Sequence, residues 1–454
     1  MSRPHQGESA HRRTRRQFLS RSGKLAAASA LAGVAIPRVH AAEDGTIRLA
    51  LIGCGARGNG AVGNALSAPG GPVKLFAMAD LFQDRLSASH KALSKRFGDK
   101  IDAPPERQFK GFDAYRKAID CLRPGDVAML TECAGFRPTH LTYAVEKGVH
   151  VFMEKPFAPD PGGVQQVIKA GEMAEKKSLK IAAGLMWRHS NARQALIRRI
   201  RDGAMGQIQL LRAYRMDPGY AMGPWNRQGS ELLWQIRRRI GFLWASSGIL
   251  IELMVHQVDE CCWIKDGWPV EAHGIGGRTA NSRDCSQNLD SYAIEYTFAD
   301  GTKALVEGRY IPNCYNHFAT YVHGTKCAAQ FCVWGASPIL TRTYKDQRIA
   351  PDFVDWKSEP EVNPWQMEWN VLLDAIRNDR PHNEAQRAAY ADLASIMGRA
   401  AVHSGKTITW KEALASTFQF CPNVGSLTED SPAPVQADDQ GRYPAPIPGA
   451  CSEI

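Results

Sequence analysis

The stretch "TIRLALIGCGARG", Thr46 to Gly58, decides the fold of this chain. Its apolar run predicts a buried strand, and the glycine-rich turn "GCGARG" leads from that strand into a segment of helical pattern. In such a unit Gly53 makes the tight turn, Gly55 lets the backbone approach a pyrophosphate, and Gly58 lets the helix pack closely on the strand. The stretch therefore predicts a dinucleotide-binding turn, and the alternative is a purely structural glycine turn.

The residues around this turn agree with a dinucleotide. Ala56 begins the predicted helix, whose N-terminus would face the phosphates. The guanidinium of Arg57 starts inside the turn, from which it can reach the pyrophosphate. The next predicted strand, "VKLFAMAD", ends at Asp80, 22 residues after Gly58. A carboxylate there accepts hydrogen bonds from a ribose diol and repels a 2′-phosphate, so NAD is favoured over NADP.

The rest of the chain divides by pattern. Short apolar runs alternate with helical segments over residues 45–186, which predicts an α/β fold, a Rossmann doubly wound parallel sheet. Residues 187–420 contain several strand-like runs joined by turn residues and closed by amphipathic helices. They predict an α+β domain with a mostly antiparallel sheet, to which the family resemblance given below assigns an open edge, substrate binding and the oligomer contact. Residues 421–454 are rich in Pro, Gly and Asp and predict an extended C-terminal tail.

The N-terminus reads as an export signal. Paired arginines in "TRRQFLS" (Thr14 to Ser20) precede the apolar run Leu25 to Ile36 and the small residues that end at Ala41. The run is too short to span a membrane, which takes about 20 residues. The pattern resembles a twin-arginine signal peptide over residues 1–41, and implies recognition by the twin-arginine export machinery and a periplasmic or exported protein. The alternative is an uncleaved basic tail.

Composition excludes two classes of function. The net charge is +10, but eight of the 56 lysines and arginines and only one of the 46 acids lie in the first 41 residues. The short basic runs "RRIRDG" and "IRRRIG" are therefore interpreted as solvated helix faces, and no nucleic-acid partner is expected. The 11 cysteines are scattered without a CxxC pair, so no metal site is predicted.

A second motif lies at the end of another predicted core strand. "HVFMEKPFAPD" places Glu154, Lys155 and Pro156 there. The carboxyl ends of strands line the ligand crevice of a doubly wound sheet. Lys155 can donate a hydrogen bond to a substrate hydroxyl, and Pro156 is a candidate for a cis peptide bond.

Together, "GCGARG", Asp80, "MEKPFA" and a downstream histidine on a helix resemble the glucose–fructose oxidoreductase and inositol dehydrogenase family (Gfo/Idh/MocA) over about residues 45–415. The resemblance implies an N-terminal Rossmann domain, a C-terminal domain with an open sheet, and NAD(P)-dependent oxidation or reduction of a sugar or polyol hydroxyl. It also implies a dimer or tetramer built through that sheet.

The family's catalytic helix has the pattern D-x-x-x-H-x-x-D, which "ILIELMVHQVDECCWI" matches with Glu252, His256 and Asp259. These spacings place the three residues on one helix face. The resemblance implies that His256 is the acid/base, that Glu252 orients it or contacts substrate, and that Lys155 donates to the reacting oxygen. Asp259 is a candidate substrate ligand, although a supporting role is favoured. Glu252 in place of the usual Asp, and Met254 in place of the usual Gly, are departures from the family.

The resemblance supplies further candidates. It implies that Trp187 and Arg188 lie near the nicotinamide or the substrate, and that Glu132 and His140 lie by the ribose and nicotinamide, with Glu154 beside the cofactor. Trp225 is either part of a carbohydrate-stacking platform or a packing residue.

Three functions remain open at this stage. The first is a periplasmic NAD-dependent oxidoreductase acting on a sugar, polyol or glycoside hydroxyl. The second is an NAD-dependent glycosidase or lyase that oxidises its substrate transiently and returns the hydride. The third is a catalytically degenerate member of the family that binds sugar or cofactor without turnover.

Overall fold

The computed structural model describes residues 45–280, 282–333 and 337–454. The predicted export signal, residues 1–41, lies outside the described residues. Within the described residues, no helix is both long enough and apolar enough to cross a membrane.

The first half of the described chain forms a parallel sheet of six strands in the order β3-β2-β1-β4-β5-β6. This is the strand order of a doubly wound Rossmann sheet, and the predicted fold class is confirmed. The inner strands β1, β4 and β5 and the edge strand β6 have almost no exposed residue because helices cover both faces, which is why they form continuous apolar runs in the sequence. The strands are β1 Ile47–Ile52, β2 Val73–Asp80, β3 Gln108–Lys110, β4 Val127–Leu130, β5 His150–Met153 and β6 Ile181–Ala183.

Helices of 7 to 16 residues connect these strands. They are α1 Ala56–Leu66, α2 Gln83–Phe97, α3 Ala114–Asp120, α4 Arg137–Glu146 and α5 Pro161–Lys176. A helix from much later in the chain, α10 (Pro364–Arg377), completes the layer. Its Trp369 is fully buried, with its ring centroid 4.5 Å from that of Phe152.

The second half forms a nine-stranded sheet in the order β14-β13-β12-β11-β7-β10-β9-β8-β15. Its neighbouring strands pair antiparallel except β7 and β10, which are parallel, so the predicted open, mostly antiparallel sheet is confirmed. Strands β9 and β10 alternate buried and half-buried residues, which is the pattern of a sheet with one covered face. The strands are β7 Ile208–Asp217, β8 Glu271–Gly277, β9 Ser291–Thr297, β10 Lys303–Tyr310, β11 His317–Gly324, β12 Ala328–Gln330, β13 Arg342–Tyr344, β14 Val354–Lys357 and β15 Ile408–Thr409.

Helices cover the inner face of this sheet, and the central one is α9. Ser247 and Gly248, with φ of +72° and +77°, turn the chain into α9. Most of α9 is buried, so each of its charged groups needs a partner. The helices of this half, besides α10, are α6 Asn191–Arg201, α7 Glu231–Arg237, α8 Leu243–Ser246, α9 Gly248–Lys265, α11 Ala385–Ser404 and α12 Trp410–Ala415.

Residues 421–454 contain no helix or strand except a 3₁₀ turn at Val424–Ser426. This segment is nevertheless held at several points. Trp225 donates its backbone N–H to the carbonyl of Gly441 over 2.9 Å, and the hydroxyl of Tyr443 donates to Glu231 over 2.8 Å. Glu453 is buried and accepts from Arg399 over 2.7 Å. The segment therefore runs as a strap across α7 to α11.

Candidate active site

The glycine-rich turn has the geometry that its sequence predicts. Gly53 has a φ of +93°, and a Cβ on it would lie 2.5 Å from the backbone nitrogen of Glu132. A Cβ on Gly58 would lie 2.4 Å from the carbonyl oxygen of Gly53. A Cβ on Gly55, in contrast, meets no described atom within 4 Å. Packing therefore requires glycine at positions 53 and 58, whereas Gly55 leaves open space above the start of α1.

That open space belongs to a cavity of about 460 Å³, a size typical of ligand sites. The N-cap of α1 is Gly55, which has no side chain to bond the first N–H groups of the helix. The first turn also contains no acid. The free N–H groups and positive end of the helix therefore face the cavity, as a diphosphate requires. Its wall includes Gly53, Gly55, Ala56, Arg57, Gly58, Asp80, Phe82, Arg85, Tyr115, Thr131, Glu132, Cys133, His140, Ile236 and Arg239. These features fit a dinucleotide.

Asp80 ends β2 at the cavity and also braces the turn. Its Oδ2 accepts the backbone N–H of Cys54 over 2.7 Å, and its Oδ1 accepts that of Phe82 over 2.9 Å. Burial raises the pKa of this carboxyl, against the effect of the two N–H donors. The carboxylate is fixed in orientation, with lone pairs left for further donors such as ribose hydroxyls.

Arg57 lines the cavity and is paired through one nitrogen with a buried acid, and its expected contact with a pyrophosphate stays a prediction. Its Nε donates to Oε1 of Glu154 over 2.6 Å, and its Nη2 lies 4.0 Å from Glu368 on α10. The buried carboxylate of Glu154 attracts the guanidinium, so the pair acts as a brace between α1 and the end of β5. Glu154, expected beside the cofactor, is this partner of Arg57 and is not among the cavity residues.

Glu132 and His140 lie together in the cavity wall. Oε1 of Glu132 is 3.1 Å from Nδ1 of His140, and the imidazole stacks on the ring of Tyr115 at 3.7 Å. Oε2 of Glu132 is buried without a hydrogen-bond partner among the described residues. An orphaned acceptor at this position suits a donor supplied by a ligand.

Lys155 and Glu252 come together next to Arg239, a residue of the cavity wall, whereas Lys155, Glu252 and His256 are not themselves among the cavity residues. Lys155 follows β5, and the Lys155–Pro156 peptide bond is cis. Nζ of Lys155 lies 3.0 Å from Oε2 of Glu252 and also donates to the backbone carbonyl of the same residue. Burial would raise the pKa of Glu252, but Lys155 and Arg239 outweigh it and hold that pKa below its usual range. The carboxylate is therefore ionised at neutral pH.

His256 lies one helical turn after Glu252 and is almost fully buried. Burial lowers its pKa well below the usual range, and the charge of Lys155 adds to this. Its Nδ1 has no hydrogen-bond partner among the described residues. Trp187, predicted to lie near the nicotinamide, packs beside it with ring centroids 5.2 Å apart. His256 is thus a neutral imidazole, the form that can accept a proton.

Arg188 and Asp259 are paired with each other. Nε and Nη2 of Arg188 donate to the two carboxylate oxygens of Asp259 over 2.8 and 2.7 Å. The guanidinium also lies 4.7 Å from the ring of Trp263. This fork-like pair satisfies both charges, which agrees with the supporting role favoured for Asp259 and leaves Arg188 committed to it.

Trp225 lies among packing residues. Its backbone N–H is bonded to Gly441 of the strap, and its ring packs against a buried cluster that includes Phe242, Trp244 and Tyr443. Of the two interpretations of Trp225, the geometry agrees with packing. Among the described residues, no group of three or more His, Cys, Asp or Glu side chains could hold a metal ion.

Two residues at the site, Thr131 and Arg239, were not predicted as site residues from the sequence. Thr131, which directly follows β4, donates from its hydroxyl to the carbonyl oxygen of Gly53 over 2.6 Å. Its position at the end of a core strand was the available indication. Arg239 was interpreted as part of a solvated helix face in "IRRRIG", and this interpretation is wrong. Its Nε lies 3.5 Å from Oε1 of Glu252, a contact created only by tertiary packing.

Comparison with known proteins agrees with this architecture. No protein-family model matches the chain. Inositol 2-dehydrogenase 1 of Paenarthrobacter aurescens (strain TC1) is 28% identical over 165 residues, which cover 33% of this chain and 48% of that protein. The match thus spans about half the length of the curated relative.

Solved structures resemble the chain more completely. Scyllo-inositol dehydrogenase from Lactobacillus casei, with bound NAD(H) and scyllo-inositol, has a TM-score of 0.59 at 19% identity and covers 82% of this chain and 100% of its own. Aldose-aldose oxidoreductase from Caulobacter crescentus, complexed with glycerol, has a TM-score of 0.61 at 17% identity and covers 80% and 99%. At these identities the likeness establishes the fold, a parallel six-stranded sheet with its helices joined to a mostly antiparallel sheet, which this chain shares with these structures.

Proposed function

We propose that this chain is a nicotinamide-dependent oxidoreductase that acts on a CH–OH group of a sugar, polyol or glycoside. One observation carries the proposal: Lys155 lies 3.0 Å from Glu252, which shares a helix with the neutral His256, and Arg239 connects Glu252 to a cavity that fits a dinucleotide. The inositol dehydrogenase and aldose oxidoreductase names of the similar proteins support the substrate class.

We assign a separate role in this reaction to His256, Lys155 and Glu252. A bound nicotinamide would supply the hydride acceptor for the carbinol carbon. His256, neutral because it is buried near Lys155, accepts the hydroxyl proton. Lys155 donates to the reacting oxygen as negative charge develops on it. Glu252 holds the ammonium of Lys155 in place and, being ionised, balances its charge.

We propose NAD as the cofactor because Asp80 occupies the end of β2. Its carboxylate is fixed by the backbone N–H groups of Cys54 and Phe82 at the cavity edge. A ribose diol can donate to such a carboxylate, whereas a 2′-phosphate would be repelled by it. Export through the twin-arginine pathway, which the sequence pattern supports, and a homo-oligomer, which the family resemblance supports, complete the proposal.

The test uses the purified protein with NAD and a panel of inositol isomers, aldoses and glycosides. Accumulation of NADH with one of these substrates, abolished by His256→Ala, is the expected result. Release of an aglycone without accumulation of NADH would instead identify an NAD-dependent glycosidase or lyase. NAD binding with no product from any compound in the panel would point to a binding protein without turnover.

A further inference from the structure

Arg239 contacts the carboxylate of Glu252 and also lines the dinucleotide cavity. It begins a 3₁₀ turn, Arg239–Gly241, directly after α7. Its Nε lies 3.5 Å from Oε1 of Glu252, on the side of the carboxylate opposite Lys155. The same side chain lines the dinucleotide cavity and is 39% exposed. The guanidinium of Arg239 thus contacts Glu252, the partner of Lys155, and also faces the dinucleotide cavity.

The backbone that carries Arg239 is anchored to the Rossmann layer. Arg237 donates to both carboxylate oxygens of Asp84 over 3.0 and 2.8 Å. Its guanidinium also lies 3.8 Å from the ring of Phe82. The thiol of Cys133 donates to the carbonyl oxygen of Ile236 over 3.8 Å. Because α7 is fixed at these points, Arg239 is presented to the cavity from a defined position.

The charges at this place do not balance within the described residues. Glu252 faces Lys155, Arg239 and, at longer range, Arg137, while the histidine on its own helix, His256, is neutral. Nη1 and Nη2 of Arg137 donate to the carbonyl oxygens of Pro156 and Glu132. Lys155 and Arg239 therefore share one carboxylate. Arg239 therefore adds a cation to a cavity wall that contains Arg57 and Arg85 as well as Asp80 and Glu132. A cation there attracts the diphosphate of a dinucleotide.

We propose that Arg239 is a positioning residue that holds the Glu252 carboxylate beside Lys155 and at the same time presents a positive charge to the bound dinucleotide. The inference rests on the proposed function, because it assumes a dinucleotide in this cavity. It predicts that Arg239 contributes to cofactor affinity and to the ionisation of Glu252. The charge of Glu252 is the main cause that raises the pKa of Arg239, so the two groups interact.

The experiment compares Arg239→Gln, Arg239→Lys and the matched control Arg238→Gln with the wild type. Arg238 neighbours Arg239 in sequence, but its guanidinium lies 4.5 Å from the ring of Trp234 and is not among the cavity residues. NAD affinity is measured by calorimetry at low and high salt. We expect Arg239→Gln to weaken NAD binding about tenfold at low salt, with a smaller salt effect than in the wild type. Arg239→Lys should restore most of the affinity, and Arg238→Gln should match the wild type.

A second readout needs no cofactor. The pKa of Glu252 is followed by carbon-13 NMR with labelled glutamate, with Glu252→Gln assigning the resonance. It should rise in Arg239→Gln and stay unchanged in Arg238→Gln. Wild-type affinity and an unchanged Glu252 titration in Arg239→Gln would overturn the inference. Equal losses in the Gln and Lys variants, with reduced thermal stability, would show a merely structural role and also overturn it. A wild type that binds no NAD would refute the proposed function and the cofactor half of the inference, and the titration alone would then decide the Glu252 half.

Discussion

The Nζ of Lys155 lies 3.0 Å from Oε2 of Glu252 and donates as well to the backbone carbonyl of that residue. The two residues are 97 positions apart in the chain. One follows a strand of the parallel sheet, and the other lies on the helix that covers the mixed sheet. This pair therefore joins the parallel-sheet half and the mixed-sheet half of the protein at the proposed reaction centre.

Replacing either partner should reduce turnover far more than it reduces cofactor binding. Lys155→Met removes the donor to the reacting oxygen, and Glu252→Gln leaves the ammonium without its charge partner. Each change should lower kcat by about 10²- to 10⁴-fold, the range typical of acid–base groups. Steady-state kinetics with the substrate found in the panel measures this. Lys147→Met, at an exposed lysine paired with Asp120, serves as the control. A kcat unchanged in Lys155→Met would remove that residue from the chemistry.

His256 should titrate below the usual histidine range, and Lys155 should be part of the reason. Burial lowers its pKa most, and the charge of Lys155 lowers it further. NMR titration of the imidazole in the cofactor-free protein should find it neutral at pH 7. In Lys155→Met the pKa should rise, because one source of repulsion for the protonated ring is gone. A histidine resonance that titrates near its ordinary value in the wild type would contradict the buried geometry.

Two glycines of the turn should respond in opposite ways. Gly55→Val places its side chain in open space at a φ of −83°, which any residue adopts. The protein should keep its thermal stability and lose NAD binding, because the side chain fills the phosphate position. Gly58→Ala puts a Cβ 2.4 Å from a backbone oxygen and should destabilise the fold. Thermal unfolding and calorimetry, applied to both variants, separate the effects. NAD binding retained by Gly55→Val would mean that the dinucleotide does not cross this turn.

Asp80→Asn should relax the preference for NAD. The amide is uncharged, so a 2′-phosphate is no longer repelled, and the ratio of NAD to NADP affinity should fall by about tenfold or more. One acceptor for the N–H groups of Cys54 and Phe82 is lost, which should also cost about 1 kcal/mol of stability. Competition binding of the two dinucleotides gives the ratio, with the exposed Asp99→Asn as control. An unchanged ratio would place the ribose elsewhere.

Asp392 should make stability depend on pH. Its Oδ2 accepts the N–H groups of Phe157 and Ala158 in the loop after Lys155, over 2.5 and 2.8 Å. Burial raises the pKa of this carboxyl to about 7. The folded state therefore keeps a proton that the unfolded chain releases near pH 4, so the free energy of unfolding should fall as pH rises from about 4 to 7 and then level.

Urea unfolding of the wild type and Asp392→Asn tests this dependence. Relative to the non-titrating amide, the wild type should lose about 2 to 3 kcal/mol between pH 5 and 7. Parallel pH dependences in the two proteins would show that Asp392 is ionised throughout.

Much of this arrangement was predictable because it is local. The strand before Gly53, the helix after it and the acid at Asp80 follow from apolar periodicity and from spacing along the chain. The shared face of Glu252 and His256 follows from the pitch of a helix. The two sheets could be anticipated because they leave different patterns in the sequence. Strands that alternate with helices indicate a parallel sheet, whereas strands joined by turns indicate an antiparallel one.

The partners of the charged side chains were not predictable in the same way. The pairing of Arg57 with Glu154 and that of Arg188 with Asp259 were not predicted, whereas the expected contacts of the two arginines with ligands stay predictions. Arg237 and Arg239 look alike in sequence and have equally exposed side chains, 39% each, yet Arg237 pairs with Asp84 and Arg239 faces Glu252. Such pairs form between segments distant in sequence, when packing removes water and each buried charge must find an opposite one.

The sequence by itself therefore determined the two sheets and the dinucleotide turn, since these depend on short-range periodicity and on the steric demands of glycine. The acid–base residues were assigned through the family resemblance and stay a prediction. Tertiary structure alone decided which cations face the cavity and which are neutralised, because that depends on how α7, α9 and α10 pack against the parallel sheet. The chemistry proposed for the site depends on both: the residue types come from local sequence, and their ionisation states come from burial and from neighbours brought together by the fold.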